Sequence, residues 1–243
     1  MKKLAIAIPT YNEKKNIEKF IYSVKKNVSR LENISTTLII IDDNSPDGTG
    51  KIIDKLAKKF SKSPFQIQPI HRPKKLGLAT AYIRAFKKVI EEKYDYVLTM
   101  DADFSHKPEY IKSFLDYISD YDIVIGSRNI KGGRVENWSI MRNIISKGGS
   151  LYSRVILGVN VKDFTAGFVM YKRKVLEALD FSKIKSRGYS FAIEMKYRII
   201  KKGFTYKEFP ITFPDRKFGK AKMSKKIFLE AMLRVWQLRF SKD

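Results

Sequence analysis

A mostly parallel α/β sheet with helices on both faces is the fold this sequence predicts, on three observations. Short, almost continuously apolar runs alternate with segments whose apolar residues recur every three or four positions. The apolar runs of the first half end in polar, acid-containing loops. No Pro-, Gly- or Ser-rich linker divides the 243 residues. A strand covered on both faces loses the in–out alternation of a half-exposed strand, so continuous apolarity between helical segments reads as a buried parallel sheet. The length supports a substantial core. We assign residues 1–223 to one α/β domain and 224–243 to a basic amphipathic C-terminal helix.

The elements follow in order. Leu4 to Ile8 is the first strand, and Ile17, Phe20, Ile21 and Val24 mark the helix after Pro9-Thr10-Tyr11-Asn12-Glu13. Thr37 to Ile41 is the second strand, ending in Asp42-Asp43-Asn44-Ser45-Pro46-Asp47-Gly48-Thr49. A helix carrying Ile52, Ile53, Leu56 and Phe60 precedes the third strand, Phe65 to Ile70. The helix Leu78 to Glu92 leads to the fourth strand, Tyr96 to Met100, and to Asp101-Ala102-Asp103. Further on, the periodicity predicts a fifth strand over Asp122 to Ile125, a helix over Ser139 to Leu157 and a strand over Tyr206 to Phe213.

Composition narrows the chemistry. There are no cysteines and two histidines, so thiolate and His-rich zinc sites are excluded and any metal is held by oxygen. The net charge of +24 calls for a polyanion, whether nucleic acid, an anionic membrane surface or a phosphorylated substrate, although solvated lysine-rich helix faces account for part of it. No signal or transit pattern precedes the first strand, and no uncharged run reaches the roughly eighteen residues of a bilayer span. The expectation is a soluble or peripheral cytoplasmic protein.

In open parallel sheets ligands bind outside the carboxyl ends of the strands, where the strand order reverses. That rule gathers Glu13, Asp42, Asp43, Asp101 and Asp103 at one edge, where five carboxylates would repel one another unless cations or hydroxyl-rich ligands lie among them. Each loop also has a purely structural reading: a helix cap at Asn12 or Asn16, a type I turn at Ser45-Pro46-Asp47-Gly48, a strand end at Asp101. Neither Gly-x-Gly-x-x-Gly nor Gly-x-x-x-x-Gly-Lys-Ser/Thr occurs, so a dinucleotide fingerprint and a P-loop are both unsupported.

Pro9-Thr10-Tyr11-Asn12-Glu13, Asp42-Asp43-x-Ser45-Pro46-Asp47-Gly48-Thr49 and Asp101-Ala102-Asp103-Phe104-Ser105-His106-x-Pro108 together resemble the successive signatures of inverting GT-A glycosyltransferases of family 2. Within that group the chain is similar to the dolichyl-phosphate mannose synthases that lack transmembrane helices. The likeness continues through Gly126-Ser127-Arg128, Gly132-Gly133, Arg142 to Ser146, Asp163 to Phe168, and Asp215-Arg216-x-x-Gly219-x-x-Lys222. It implies a GT-A fold in which Pro9, Tyr11, Glu13, Ile41 and Asp43 form a nucleoside pocket continued by Asp101 and Ala102. It implies that Asp103 holds Mg²⁺ or Mn²⁺ on the donor diphosphate. Some relatives carry a Gln where Ser105 stands, which leaves the second protein ligand open between Ser105 and water. By the same resemblance Arg216 and Lys222 fold over the diphosphate.

The basic second half would hold the acceptor. Arg128 and Arg142 are candidates for gripping an acceptor phosphate, because a guanidinium fork matches phosphate oxygens; a surface ion pair is the competing reading for each. Gly132-Gly133 is read as a flexible connection suited to closing over the acceptor. The resemblance implies transfer of mannose from GDP-mannose to dolichyl or another polyprenyl phosphate. Such an acceptor needs no general base: its second pKa is about 6, so it is largely dianionic at neutral pH. Asp163 is accordingly not assigned as a base, and Asp163→Ala is expected to be chemically tolerated. His106 is expected to make a structural hydrogen bond.

The C-terminal segment, Ile227 to Phe240, sets Phe228, Met232, Val235, Trp236, Leu238 and Phe240 among Lys225, Lys226, Arg234 and Arg239. Docking on a membrane surface at the cytosolic face, on an accessory membrane subunit and on its own domain all stand open. The alternatives for function are a GT-A transferase using UDP-glucose or a hydroxyl acceptor, and a nucleic-acid-binding module. An acidic cleft argues against the last, so nucleic acid is not an expected partner.

Overall fold

A computed structural model describes residues 1–61, 64–215 and 225–241. Strand β1 (Lys2–Thr10) runs through the centre, with Leu4 to Ile8 fully buried. Helix α1 (Ile17–Val28) returns across the sheet and buries Ile17, Phe20, Ile21, Val24 and Val28, the three- and four-residue spacing of one helix face. The pattern repeats through β2 (Ile34–Asp42), α2 (Thr49–Lys59), β3 (Phe65–His71), α3 (Leu78–Glu91) and β4 (Tyr96–Thr99). Strand β1 pairs in parallel with β2 on one side and β4 on the other, while β3 adds outside β2. The strand order therefore reverses between β1 and β4, which opens a crevice at their carboxyl ends.

The second half contains α4 (Ile111–Ile118), β5 (Ile123–Ser127), β6 (Arg134–Glu136), α5 (Ile140–Leu157), β7 (Val169–Lys172), α6 (Arg173–Glu177), α7 (Tyr189–Lys201), β8 (Tyr206–Pro210), β9 (Thr212–Pro214) and α8 (Lys225–Phe240). The main sheet has the order β3-β2-β1-β4-β7-β5-β8, with β7 antiparallel to both neighbours. Within it, successive residues feed opposite cores. Ala5, Ala7, Ile39 and Ile41 face the core shared with α3 and α7, whereas Leu4, Ile6, Ile8, Leu38 and Ile40 face the one under α1 and α2.

Two expectations change here and one open reading is narrowed. The strand expected over Tyr206 to Phe213 is two strands: β8 pairs with β5 as far as Pro210, the Ile211 N–H still reaches the Ser127 carbonyl at 3.0 Å, and β9 then leaves to pair with β6. The C-terminal helix docks on its own domain with one face. Val235 and Leu238 are buried, and Arg234 Nη2 donates to both oxygens of Glu194 at 3.0 and 3.2 Å. Gly132-Gly133 is a tight approach. The backbone N–H of Gly133 bonds the Ile130 carbonyl at 2.9 Å, and a Cβ on Gly133 would meet the Ser127 carbonyl oxygen at 2.6 Å and the Arg128 carbonyl at 2.9 Å. No backbone yields that distance without moving. Gly133→Ala is therefore expected to cost roughly 1–3 kcal/mol in urea unfolding and to displace the Ser127–Arg128 turn.

Candidate active site

Three loops leave the carboxyl ends of β1, β2 and β4 side by side, and the first two are stitched together. The N–H groups of Asn12, Glu13 and Lys14 donate to Ser45 Oγ, Thr49 Oγ1 and Asp47 Oδ2 at 3.0, 2.9 and 3.0 Å. Asn12, Asn44 and Phe104, one in each loop, hold left-handed φ angles of 61°, 57° and 65°. Asn adopts that region readily; Phe does not, and Phe104 is held there with its ring edge-on to Phe20 at 5.4 Å.

The five carboxylates do not converge as expected. Asp42 is buried and turned inward, accepting from Ser45 N, Ser45 Oγ and Thr10 Oγ1. Asp43 is buried against Arg72 and accepts from Gly77 N at 3.1 Å. Glu13 accepts from Asn16 Nδ2 at 3.0 Å at the start of α1. Their mutual repulsion is relieved by the protein's own donors. Only Asp101 and Asp103 line the central cavity, a space of about 200 Å³.

That cavity brings together Asp101, Asp103, Ser105, Arg128 and Arg142 from the residues the sequence singled out. Pro9, Tyr11, Glu13, Ile41, Asp43 and Ala102 lie on the neighbouring strand ends and loops, outside its lining. Ile41 is fully buried in the core, with its carbonyl accepting from Thr10 Oγ1 at 3.4 Å, and Ala102 is also buried. Tyr11 has the Lys75 ammonium 4.0 Å above its ring. Arg216 and Lys222 lie outside the described residues.

At the acidic end, Ser105 N and Oγ both donate to Asp103 Oδ1, at 3.0 and 2.6 Å. Ser105 thus orients the carboxylate, and its hydroxyl oxygen stays beside Asp103 at the position the sequence offered for a second metal ligand. The imidazole of His106 stacks on Phe168 at 4.5 Å and its Nδ1 accepts from Asp101 N at 2.9 Å. Burial pushes His106 down to about 4, so it is a neutral acceptor shaping the loop, in keeping with the structural role expected. Oxygen donors on one short loop suit a hard divalent cation that takes the rest of its shell from phosphate and water. Among the described residues, no group of three or more His, Cys, Asp or Glu forms a complete protein cage.

At the basic end, Arg128 is held rather than free to swing. Its Nε and Nη2 bond Asp163 Oδ2 and Oδ1, each at 2.7 Å, its backbone N–H reaches the same carboxylate at 2.9 Å, and Nη2 also meets Thr165 Oγ1 at 2.7 Å. The fork expected to clasp a phosphate is spent on Asp163. What the cavity receives is a fixed positive charge. Arg142 stacks on Trp138 at 3.8 Å and pairs with Asp215 at 2.6 Å, so the ion-pair reading and the cavity-lining reading both hold for it. Asp163 is fully buried; burial raises its pKa, but the charge and hydrogen bonds of Arg128 outweigh this and leave it below the usual carboxylate range.

Trp138 and Tyr82 escaped the sequence reading, and Ser146 was read within the Arg142 to Ser146 stretch but given no role. Trp138 is the platform between the two arginines, Ser146 lies one helical turn after Arg142, and Tyr82 donates to Asp101 at 3.4 Å. Each sits beside a residue that was read, and helical spacing from Arg142 was the available signal for Ser146. Lys196 of α7 escaped too. It is fully buried and donates to the carbonyls of Phe164 and Ala166 at 3.0 and 2.6 Å, bracing the loop that carries Asp163.

Two outcomes follow. Asp163→Ala would remove the carboxylate that holds the buried Arg128 guanidinium, at a cost of about 3–5 kcal/mol in chemical denaturation, a cost in stability separate from the chemical tolerance expected of a residue that is not a base. Burial lowers Lys196 from 10.5 to about 7. Between about pH 7 and 10.5 the unfolded chain binds this proton and the folded chain does not, so unfolding free energy rises with pH by up to about 1.4 kcal/mol per unit. Urea titrations at pH 7, 8 and 9 should show that rise in the native chain and its loss in Lys196→Met.

The family model for glycosyl transferase family 2 matches residues 5–180. Polyprenol monophosphomannose synthase of Mycolicibacterium smegmatis is 40% identical over 237 residues, covering 96% of this chain and 86% of that protein. Undecaprenyl-phosphate mannosyltransferase of Micrococcus luteus is 40% identical over 230 residues, covering 94% and 90%. Among solved structures, glucosyl-3-phosphoglycerate synthase from Mycobacterium tuberculosis in complex with Mn²⁺, UDP-glucose and phosphoglyceric acid superposes with a TM-score of 0.70 at 15% identity, over 100% of this chain and 81% of that one.

Proposed function

The chain belongs to glycosyl transferase family 2 and is a glycosyltransferase of GT-A fold, and from that premise we propose that it transfers mannose from GDP-mannose to a polyprenyl phosphate such as dolichyl phosphate, releasing GDP. The observation that carries this reading is the mixed lining of the cavity. Asp101 and Asp103, Arg128 and Arg142, and the apolar side chains of Leu78, Ile145, Tyr152, Phe191, Ile193 and Val235 border one space. A donor diphosphate with its cation suits the carboxylates, an acceptor phosphate the arginines, and the lipid's first carbons the apolar side chains. The two mannosyl-transferring relatives support mannose, and the resemblance of the nucleoside loops supports a guanine nucleotide.

The protein's residues have distinct tasks in this reaction. Asp103, oriented by Ser105, would hold Mg²⁺ or Mn²⁺. A cation bound there acts as a Lewis acid for the departing nucleotide. Arg128 and Arg142 steady the acceptor phosphate near the anomeric carbon and offset its charge. A phosphate oxygen attacks that carbon from the side opposite the nucleotide; its bond forms as the bond to the diphosphate oxygen breaks, the electron pair leaves with GDP, and the configuration inverts. No proton need be removed from a dianionic phosphate, and none of these residues acts as a base.

No described helix is long and apolar enough to cross a membrane, so a lipid-linked acceptor would be met at the membrane surface. The test is transfer itself. Protein, Mg²⁺ or Mn²⁺, a panel of labelled nucleotide sugars and polyprenyl phosphate are combined, and label entering the organic phase is counted. GDP-mannose should give the highest signal, chelation should abolish it, and Asp103→Ala should lower kcat on the order of 10²–10³-fold with an unchanged unfolding midpoint. Organic-phase label from no donor at all would overturn the reading.

A further inference from the structure

A lysine is rarely buried completely, because its ammonium must find inside the protein what water gave it outside. Lys196 of α7 is buried completely all the same. Its Nζ donates to three backbone carbonyls, those of Phe164 at 3.0 Å, Ala166 at 2.6 Å and Ala192 of its own helix at 3.3 Å. Three acceptors match the three hydrogens of an ammonium, whereas a neutral amine has two to give. The charged groups facing it are Arg128 at the end of β5, Asp163 on the loop ahead of β7 and Glu208 on β8. Both carboxylates already serve other donors: Asp163 holds the Arg128 fork, and Glu208 accepts from the N–H groups of Lys162 and Asp163.

The carbonyls that Lys196 holds form the back of the cavity wall. Thr165, Ala166 and Ala192 line the same space as Arg128, and Thr165 Oγ1 accepts from Arg128 Nη2 at 2.7 Å. We propose that Lys196 is a positioning residue for the acceptor, which holds residues 164–166 against Arg128 and takes up a proton from solvent when a phosphate dianion binds on the other side of that wall. The inference rests on the phosphate acceptor proposed above. Burial brings Lys196 down to about 7, so near pH 8 most of it is a neutral amine. Two negative charges arriving one peptide layer away favour the ammonium and fill the third carbonyl's need for a donor. By linkage, the protonated lysine then holds the phosphate more tightly. Arg128 cannot respond in this way, since a guanidinium is always charged. The arginine supplies a fixed charge, and the lysine supplies one that follows the acceptor.

Calorimetric titration with a short-chain isoprenyl monophosphate at pH 8, repeated in buffers of different ionisation heat, counts the protons exchanged on binding without any turnover. The wild-type protein should take up about half a proton or more per phosphate bound. A phosphate moving from water onto arginines releases protons, so the sign separates the lysine from the ligand. Lys196→Gln keeps an N–H donor for the wall carbonyls and Lys196→Met keeps none, and neither side chain titrates. Both variants should lose the uptake, and Lys196→Gln should still bind. From pH 7 to 9 the wild-type Kd should rise roughly threefold or more, while that of Lys196→Gln stays level. Binding by the wild-type protein without proton uptake, or undiminished uptake in either variant, would overturn the inference and leave the transferase reading standing. No binding of the isoprenyl phosphate by the wild-type protein would overturn the inference together with the phosphate acceptor on which it rests.

Discussion

Removing Arg128 and Asp163 from water is costly for each ion, and the pair persists because almost every polar atom of the carboxylate is satisfied at once. Asp163 takes the guanidinium as a fork, the Arg128 backbone N–H and the Thr165 hydroxyl. Around it the backbone is pinned from three sides. Glu208 accepts from the N–H groups of Lys162 and Asp163, Lys196 holds the carbonyls of Phe164 and Ala166, and Gly133 lets the next strand approach the Ser127–Arg128 carbonyls. A buried pair of this kind is weak evidence for stability but strong evidence for placement. Its geometric effect is to hold one cationic wall of the cavity in a single position, an arrangement suited to stabilising charge without reorganisation during reaction.

The acidic wall obeys the same constraint by different means. Carboxylates crowded at the ends of parallel strands would destabilise the fold if all of them faced one solvent pocket. The chain avoids this by division: Asp42 and Asp43 are consumed by Ser45, Thr10, Arg72 and Gly77, and Asp101 and Asp103 alone border the cavity. The inward pair fixes the loops, including the left-handed residues Asn44 and Asn12, and the other pair borders the cavity. The local strain at Phe104 fits this division, since it turns the chain sharply between Asp103 and Ser105 so that the serine can reach back to the carboxylate.

How much of this could be read from the sequence depended on whether a signal was local. Strands β1 to β5 and helices α1 to α3 were legible because each is a regular apolar period bounded by turn residues, and the edge on which their loops open follows from the reversal of strand order. Helix α7 was not, because it is buried all round: Glu194, Lys196 and Arg198 sit inside it with partners supplied by Ser186, Arg234, Phe164 and Ala166, which erases the apolar stripe. Strand β7 has four residues and no helix leading directly into it, so nothing in its sequence announced an antiparallel insertion between β4 and β5. The residues around Asp101 and Arg128 were found by pattern, but what occupies the Arg128 fork was decided by Asp163, thirty-five positions away. Long-range partners of this sort leave no trace in local spacing.

The character of the acceptor is where these strands of argument meet. A hydroxyl acceptor requires a side chain that can take its proton at the moment of attack. Around the basic half of the cavity the nearby candidates are otherwise engaged. Asp163 is fully buried and bound to Arg128, Asp215 is paired with Arg142, and His106 is a neutral ring whose Nδ1 already accepts from Asp101. Tyr82 and Tyr171 are pushed upward in pKa by burial, which keeps their hydroxyls protonated and no phenolate on hand to take a proton. A site with two fixed arginines, engaged carboxylates and an apolar extension is better matched to an acceptor that arrives already ionised and attached to hydrocarbon. By that reasoning the burial of Asp163 and the choice of a phosphate acceptor are two sides of one economy: a carboxylate not needed as a base is available to hold the arginine that is needed as a charge.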